Sequence, residues 1–155
     1  MSLYDHIKEG LLLNLGSHTF DAESIKRFAG KFDPQPFHLD EVAAKNSLLG
    51  GLCASGWHSL SIWMRLNIQT GRKLLETNSG YEGPKPEFGM SPGIKNVKWF
   101  RPVYAGDTIT YQTTVTGKRK LRSKPEWGYI SKHTEGFNQN GDKVLQFDGG
   151  VMLKL

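Results

Sequence analysis

The chain has 155 residues, of which 37% are hydrophobic and 23% charged, and its formal net charge at pH 7 is +5. This size and balance predict one soluble globular domain over residues 1–155 and exclude an intrinsically disordered chain. Because no apolar run is long enough for a signal-peptide core or a membrane span, we expect a cytoplasmic protein without membrane contact. The only cysteine, Cys53, excludes a disulfide within the chain and argues against a zinc site built on thiolates.

The first third of the chain predicts a short strand followed by helical segments that turns connect. Asp21 is a candidate N-cap, and Ile25 and Phe28 follow at helical spacing until Gly30, where we expect the helix to end. A second short helix is predicted to begin near Asp40.

The longest predicted helix covers about residues 54–75. Apolar side chains form one stripe along it and also cover most of its remaining surface; they are Trp57, Leu60, Ile62, Trp63, Met64, Leu66 and Ile68. A helix that is apolar on nearly every side is expected to be buried. Gly50 and Gly51 allow a tight backbone path into its first turn.

The hydrophobic period changes from helical to two after a loop rich in glycine and proline at residues 77–92. Strands are predicted at residues 94–101, 108–115, 129–137 and 145–155. Asn140-Gly141 predicts the hairpin turn before the last of them. At least four strands in an antiparallel meander, preceded by one long helix, predict an α+β fold in which the sheet wraps around that central helix.

The net positive charge favours an anionic partner, which could be nucleic acid, a phosphorylated cofactor or an acidic carrier protein. The densest basic run, residues 118–124, lies between two predicted strands, and we interpret it as a solvated loop. No zinc-finger spacing, RNA-recognition signature or basic helix accompanies it, so the sequence gives no support to nucleic-acid binding.

An acid and a histidine, Asp33 and His38, lie five positions apart with Pro34 and Pro36 between them. The proline rings fix φ at two intervening positions and favour an extended or turning backbone, which stiffens the placement of the two side chains. A carboxylate beside an imidazole is suited to proton transfer near neutral pH. The spacing alone favours a simpler interpretation, in which Asp33 caps a turn and His38 packs on Phe37.

Three segments in the same order resemble the MaoC-like dehydratases and R-specific enoyl-CoA hydratases. In the first, residues 25–40, the positions Asp33, Pro36, His38 and Asp40 match the hydratase signature. Residues 49–57 resemble the glycine-containing approach to the helix of the hotdog fold, and residues 100–109 are very similar to a strand–turn–strand element of the family. The resemblance covers the chain from about residue 17 onward.

The chain departs from the family pattern at two positions. Gln35 replaces the usual Asn before the second proline, and Ser55-Gly56 replaces a common His-Gly. These departures leave open whether the activity is altered or lost, because a fold alone does not fix an activity.

The resemblance implies a hotdog fold and reversible hydration of a 2-enoyl thioester, carried on coenzyme A or an acyl carrier. Asp33 and His38 would be the catalytic acid–base pair, without metal or cofactor. The backbone N–H of Gly56 would stabilise the negative charge on the thioester oxygen. Ser55 would bind substrate or cap the helix, and Trp57 would line an acyl tunnel or pack in the core. Hotdog proteins typically pair, so we expect a homodimer.

Two alternatives remain open at this point. A hotdog thioesterase would activate water against the carbonyl carbon, although the sequence around Asp33 does not resemble the common thioesterase signature. A non-catalytic protein that binds acyl thioesters would keep the scaffold without turnover. Release of free thiol would favour the first alternative, and binding without turnover the second.

Overall fold

The computed structural model of the chain describes residues 1–77 and 80–155. Five strands form one antiparallel sheet: β1 (Leu12–Thr19), β2 (Lys95–Trp99), β3 (Thr108–Lys120), β4 (Trp127–Phe137) and β5 (Lys143–Lys154). Five helices accompany it: α1 (Leu3–His6), α2 (Ala22–Phe32), α3 (Pro36–Leu39), α4 (Glu41–Lys45) and α5 (Gly56–Glu76). None of the helices in the described ranges has the length and apolar character needed to cross a membrane.

Helix α5 packs against one face of the sheet. The Trp63 ring meets the Phe147 ring edge-on with centroids 4.6 Å apart, and the buried Tyr111 hydroxyl donates to the Ser59 carbonyl at 2.8 Å. These contacts join the helix to the middle strands. The predicted α+β architecture, a sheet wrapped around a long helix, is confirmed.

The strand order is β1-β3-β4-β5-β2, which corrects the predicted meander. Only β3, β4 and β5 follow one another in chain and in space, while β2 crosses over to pair with β5 at the far edge. The alternation predicted for β3 is confirmed, because Ile109, Tyr111, Thr113 and Val115 are all buried. Thr113 bonds Thr134 of β4 through their hydroxyls at 2.8 Å, which satisfies both polar groups inside the core.

The expectation that α5 is buried on nearly every side is wrong for the single chain. Leu60 and Ile62 are buried, but Trp57, Met64 and Ile68 are 61%, 44% and 46% exposed. One sheet covers only one side of a helix, so the opposite apolar stripe faces outward. Large exposed apolar patches are typical of contact surfaces.

Helix α2 begins where the sequence predicts and ends later than it predicts. The Asp21 side chain accepts from the Ser24 N–H at 2.8 Å and caps the first turn. Gly30 does not end the helix; the last bond runs from the Asp33 N–H to the Ala29 carbonyl at 2.9 Å. Proline cannot continue an α-helix at the next position, so it is Pro34 that ends the helix and leaves Asp33 as its C-cap.

The N-terminal helix α1 was not predicted, and it changes the interpretation of the basic run. Residues 118–120 belong to β3, and the Lys118 ammonium donates to the carbonyls of Tyr4 and Ile7, each at 2.9 Å. The start of this run is therefore structural, not a solvated loop. In the predicted loop at residues 77–92, Asn78 and Ser79 lie outside the described residues, and Phe88 bridges to Leu153 of β5.

Candidate active site

The catalytic pair predicted from the sequence lies at the junction of α2 and α3. Asp33 is the C-cap of α2, and Gln35 is extended with φ −83° and ψ 144°. Pro36 then occupies the first turn of α3, which carries His38, so the second proline starts a helical turn instead of an extended segment. Only three residues separate the end of α2 from the start of α3, so the two side chains lie close to each other along the chain.

Asp33 and His38 converge on each other. The distance from His38 Nε2 to Asp33 Oδ2 is 3.3 Å, and the imidazole is buried. On its other side, His38 Nδ1 lies 2.6 Å from the Cys53 carbonyl oxygen. Because that oxygen can only accept, Nδ1 carries a hydrogen and donates, which fixes the ring with Nε2 toward the carboxylate. The simpler interpretation, a histidine that only packs on Phe37, is insufficient even though the two rings touch edge-on at 4.6 Å.

The Asp33 carboxyl is stabilised in its charged form. Burial raises its pKa, but hydrogen bonds from the side chains of Ser55 and Gln35, together with the nearby His38 ring, outweigh this and leave the pKa below its ordinary value. The Gln35 amide donates to Asp33 Oδ1 at 2.7 Å. Gln35 stands where the family usually has Asn; both residues carry an amide donor, and here the longer Gln35 side chain reaches the carboxylate.

The N-terminus of α5 adjoins this pair. Ser55 is the N-cap: its Oγ accepts from the Trp57 N–H at 3.3 Å, while its hydroxyl interacts with Asp33. The predicted N-cap role of Ser55 is therefore confirmed. Gly56 is the first residue of the helix, so its N–H has no acceptor within the helix and lies at the positive end of the helix dipole.

Trp99 of β2 covers Gly56, a contact that the sequence did not predict. A Cβ built on Gly56 would lie 2.6 Å from Trp99 Cε2 and 2.8 Å from Nε1, so only glycine fits beneath the indole. The indole N–H donates to Ser59 Oγ at 3.4 Å, and the ring meets Trp57 edge-on with centroids 6.2 Å apart. Packing in the core, one of the two roles expected of Trp57, is wrong for the single chain, because the Trp57 side chain is exposed, as is that of Trp99.

The second and third segments of the family resemblance meet each other beside the pair. The Ala54 N–H donates to the Val103 carbonyl at 2.8 Å and the Ala105 N–H donates to the Leu52 carbonyl at 3.0 Å. Asp107 accepts from the Tyr104 N–H at 2.9 Å, which stabilises the turn between these two residues. The three segments that are separated in sequence therefore form one local structure.

Cys53 contributes its carbonyl oxygen to this structure, while its thiol is free and buried. Burial raises the pKa of the thiol to about 11, and the Asp33 charge acts in the same direction. A thiol with such a pKa stays protonated at neutral pH and is a poor nucleophile. The site as a whole offers three groups: the Asp33 carboxylate, the oriented His38 imidazole and the Gly56 N–H, which has no acceptor within the helix. This set is suited to moving protons on a substrate that a carbonyl group activates.

Comparison with known proteins bears on the family and the fold. A family profile described as MaoC like domain matches residues 12–135. The crystal structure of the MaoC-like dehydratase from Rhodospirillum rubrum is similar with a TM-score of 0.82 and 34% identity, covering 97% of this chain and 94% of that one. The uncharacterized protein YdeM of Bacillus subtilis is 28% identical over 150 residues, 97% of each chain. The mesaconyl-CoA hydratase of Cereibacter sphaeroides is 34% identical over 62 residues, 40% of this chain and 18% of that protein. The hotdog fold predicted from the sequence is thereby confirmed.

Proposed function

The chain belongs to the MaoC-like domain family, and from that premise we propose that it catalyses the reversible hydration of a 2-enoyl thioester. The family and its hydratase relatives support a hydratase or dehydratase of this general kind. The observation that carries the finer proposal is the convergence of Asp33 Oδ2 and His38 Nε2 at 3.3 Å beside the first N–H of α5.

In the proposed reaction the pair holds one water molecule against the β-carbon of the substrate. The water oxygen forms a bond to that carbon while the pair accepts its proton. The electron pair of the carbon–carbon double bond moves toward the α-carbon and the thioester oxygen. The pair then returns a proton to the α-carbon, so the sum is addition of one water and the pair is restored. No metal or redox group is part of this proposal.

Each member of the pair has a feature that supports its role. Asp33 has a pKa below its ordinary value, which keeps it as a carboxylate able to accept a proton at neutral pH. His38 is held by the Cys53 carbonyl through Nδ1, so Nε2 is the ring atom available to the reaction. An imidazole that cannot rotate loses little freedom when substrate binds, which favours positioning.

Negative charge on the thioester oxygen is proposed to be stabilised by the Gly56 N–H. This donor is unpaired within α5, is favoured by the helix dipole, and lies next to Ser55, whose side chain helps to lower the pKa of Asp33. One such donor is typically worth about 3 kcal/mol of transition-state stabilisation. Ser55 itself is proposed to position Asp33. Its oxygen already accepts from the Trp57 N–H, and its hydroxyl group helps to lower the pKa of Asp33.

We also propose that the protein works as a homodimer, within the cytoplasm as predicted. What supports this is the outward apolar stripe of α5, formed by Trp57, Met64 and Ile68, next to the exposed ring of Trp99. Strand β2 lies at an edge of the sheet and pairs on one side with β5. A second copy paired at this edge would cover both the strand and the stripe.

The reaction type can be tested with crotonyl-CoA and longer 2-enoyl-CoA thioesters. We expect loss of enoyl-thioester absorbance without release of free thiol, and a 3-hydroxyacyl product by mass spectrometry. Free thiol formed faster than the hydrated product would instead identify a thioesterase. Saturable binding without either product would identify a non-catalytic acyl-thioester binder and would refute the hydratase proposal.

A further inference from the structure

A cavity that is separate from the catalytic pair lies between α2 and α5 near β1. Its volume is about 400 Å³, and neither Asp33 nor His38 lines it. Ligand pockets in proteins commonly have volumes of roughly 300–1,000 Å³, so the size suits a small molecule. On the α5 side the cavity extends from His58 to Arg65, about 10 Å along the helix axis. We call this cavity the α2–α5 cleft.

The charge of the α2–α5 cleft is positive. Arg27, Lys31 and Arg65 line it, against one acid, Asp21, which is engaged as the cap of α2. Within the described chain, Lys31 has no ion pair or side-chain hydrogen bond, and Arg27 has only a distant, exposed contact to Glu23 at 3.5 Å. Three cations that little else neutralises favour an anionic ligand, and guanidinium groups are well matched to phosphate.

The walls of the cleft also carry buried polar atoms without partners. Arg65 Nη2 donates to His18 Nδ1 at 3.1 Å, so His18 Nε2 must carry the hydrogen of the neutral ring. That Nε2 is buried, and among the described residues it has no hydrogen-bond partner. His58 Nδ1 is also buried and has no hydrogen-bond partner among the described residues, and His58 as a whole is only 6% exposed. Unpaired buried polar groups are costly, so both histidine rings add unsatisfied polar atoms to the lining of the cleft.

An aromatic surface lies beside these polar groups. Phe32, the last residue of α2, has a side chain that is 69% exposed. The Phe32 ring packs against the Phe28 ring at a tilt, with centroids 5.0 Å apart. The Phe28 ring in turn stacks on the His58 ring, with centroids 4.6 Å apart and the planes nearly parallel. The rings of the three residues form a continuous wall that ends in an open face, and a flat heterocycle can stack on such a face.

We propose that the α2–α5 cleft binds a nucleoside phosphate, with the phosphates on Arg27, Lys31 and Arg65 and the base against Phe32. The ligand could come from two sources. One is the nucleotide end of a coenzyme A thioester, in which case the inference rests on the proposed function and assigns coenzyme A as the carrier. The other is a free nucleotide that binds independently of the substrate.

The binding itself is tested by calorimetric titration of the full chain with adenosine 3′,5′-bisphosphate and with inorganic pyrophosphate. We expect saturable binding of both, weakened at least about tenfold by Arg65→Ala, the loss that one charged hydrogen bond implies. Phe32→Ser should weaken binding of the nucleotide and leave the affinity for pyrophosphate unchanged. Arg72→Ala, an exposed arginine on the same helix outside the cleft, is the matched control and should bind as wild type.

No saturable binding by the wild type, or equal binding by all folded variants, would overturn the proposal. Circular dichroism establishes that each variant is folded. If Arg65→Ala does not fold, Arg65→Lys replaces it; because lysine keeps the charge, this variant should bind more weakly than the wild type but retain part of the affinity.

The source of the nucleotide is settled by comparing crotonyl-CoA with crotonyl-pantetheine, which lacks the nucleotide. If coenzyme A is the ligand, Arg65→Ala raises KM about tenfold for crotonyl-CoA and leaves kcat/KM for crotonyl-pantetheine unchanged. If KM for both substrates is unchanged while titrated binding is lost, the ligand is a free nucleotide. If the wild type hydrates neither substrate, the proposed function fails, but the titrations still decide whether the cleft binds nucleotides.

Discussion

Replacing His58 with phenylalanine should remove much of the acid sensitivity of the fold. Burial, then the neighbouring His18 ring, lowers the pKa of His58 to about 4 from its ordinary value near 6.5. Because the pKa is lower in the folded state, the unfolded chain binds the proton first as the pH falls. The contribution of the neutral ring to stability is therefore complete above pH 6.5 and is lost progressively down to pH 4. The total loss is about 3 kcal/mol, of which about 2 kcal/mol has occurred by pH 5.

The measurement is the free energy of unfolding in urea at pH 7.5 and at pH 5. We expect wild type to lose about 2 kcal/mol through His58 between these values. His58→Phe should lose much less, since the new ring keeps the stack on Phe28 and the edge contact with Phe20 without a titrating nitrogen. A smaller slope remains from His18, whose pKa is also lowered by burial and by the charge of Arg65.

Ser61→Ala is the matched control for this experiment, because it lies on the same helix and removes no titrating group. It should keep the full loss of the wild type between the two pH values. If His58→Phe were as acid-sensitive as the wild type, the buried neutral ring would not be the source of the effect and the reasoning would be refuted.

Three further predictions concern α5 and its N-terminus. Gly56→Ala should lower the free energy of unfolding by about 1–3 kcal/mol, because the new Cβ meets Trp99 at 2.6 Å, and adding Trp99→Ala should restore it; a fully stable single variant would contradict this. Ser55→Ala should raise the pKa of Asp33 and move the acid limb of the pH–rate profile to higher pH, whereas an unmoved limb would deny Ser55 its positioning role. Trp57→Glu should convert dimer to monomer in light scattering at micromolar concentration, and an unchanged mass would show that this stripe is not the interface.

The helix starts could be predicted from the sequence because capping is a local property. Asp21, Asp40 and Ser55 each cap the helix that follows, as their residue types indicate. The helix end at Gly30 was wrong, because that position takes an ordinary helical conformation and the helix continues until Pro34 prevents it. A glycine permits an ending but does not require one.

The strand order and the exposure of α5 could not be predicted, because both depend on distant parts of the chain. A period of two identifies a strand and does not say which neighbour it pairs with, so the crossover of β2 to β5 left no signal. The apolar stripe through Trp57, Met64 and Ile68 has the same pattern whether a sheet or a second molecule covers it.

The candidate site was predictable where the resemblance supplied the residues and unpredictable where it depends on contacts. The sequence predicts Asp33 and His38 as the pair, and the structure brings them together at 3.3 Å. The donor role of Gln35 and the Trp99 ring over Gly56 were missed. The departure at Gln35 is itself a signal, because the longer amide can reach the carboxylate, whereas nothing in the sequence around Trp99 indicates its position over Gly56.

The most direct test of the central claim is hydration of crotonyl-CoA by wild type, Asp33→Asn and His38→Gln. Asp40→Asn is the matched control, since Asp40 is a nearby acid that caps α4 through the Ala43 N–H and lies outside the pair, and asparagine caps equally well. If Asp33 and His38 act as the acid–base pair, each replacement should lower kcat at least about 10²-fold while the control stays near wild type. Either folded variant retaining activity within about tenfold of the wild type would contradict the assignment of the pair.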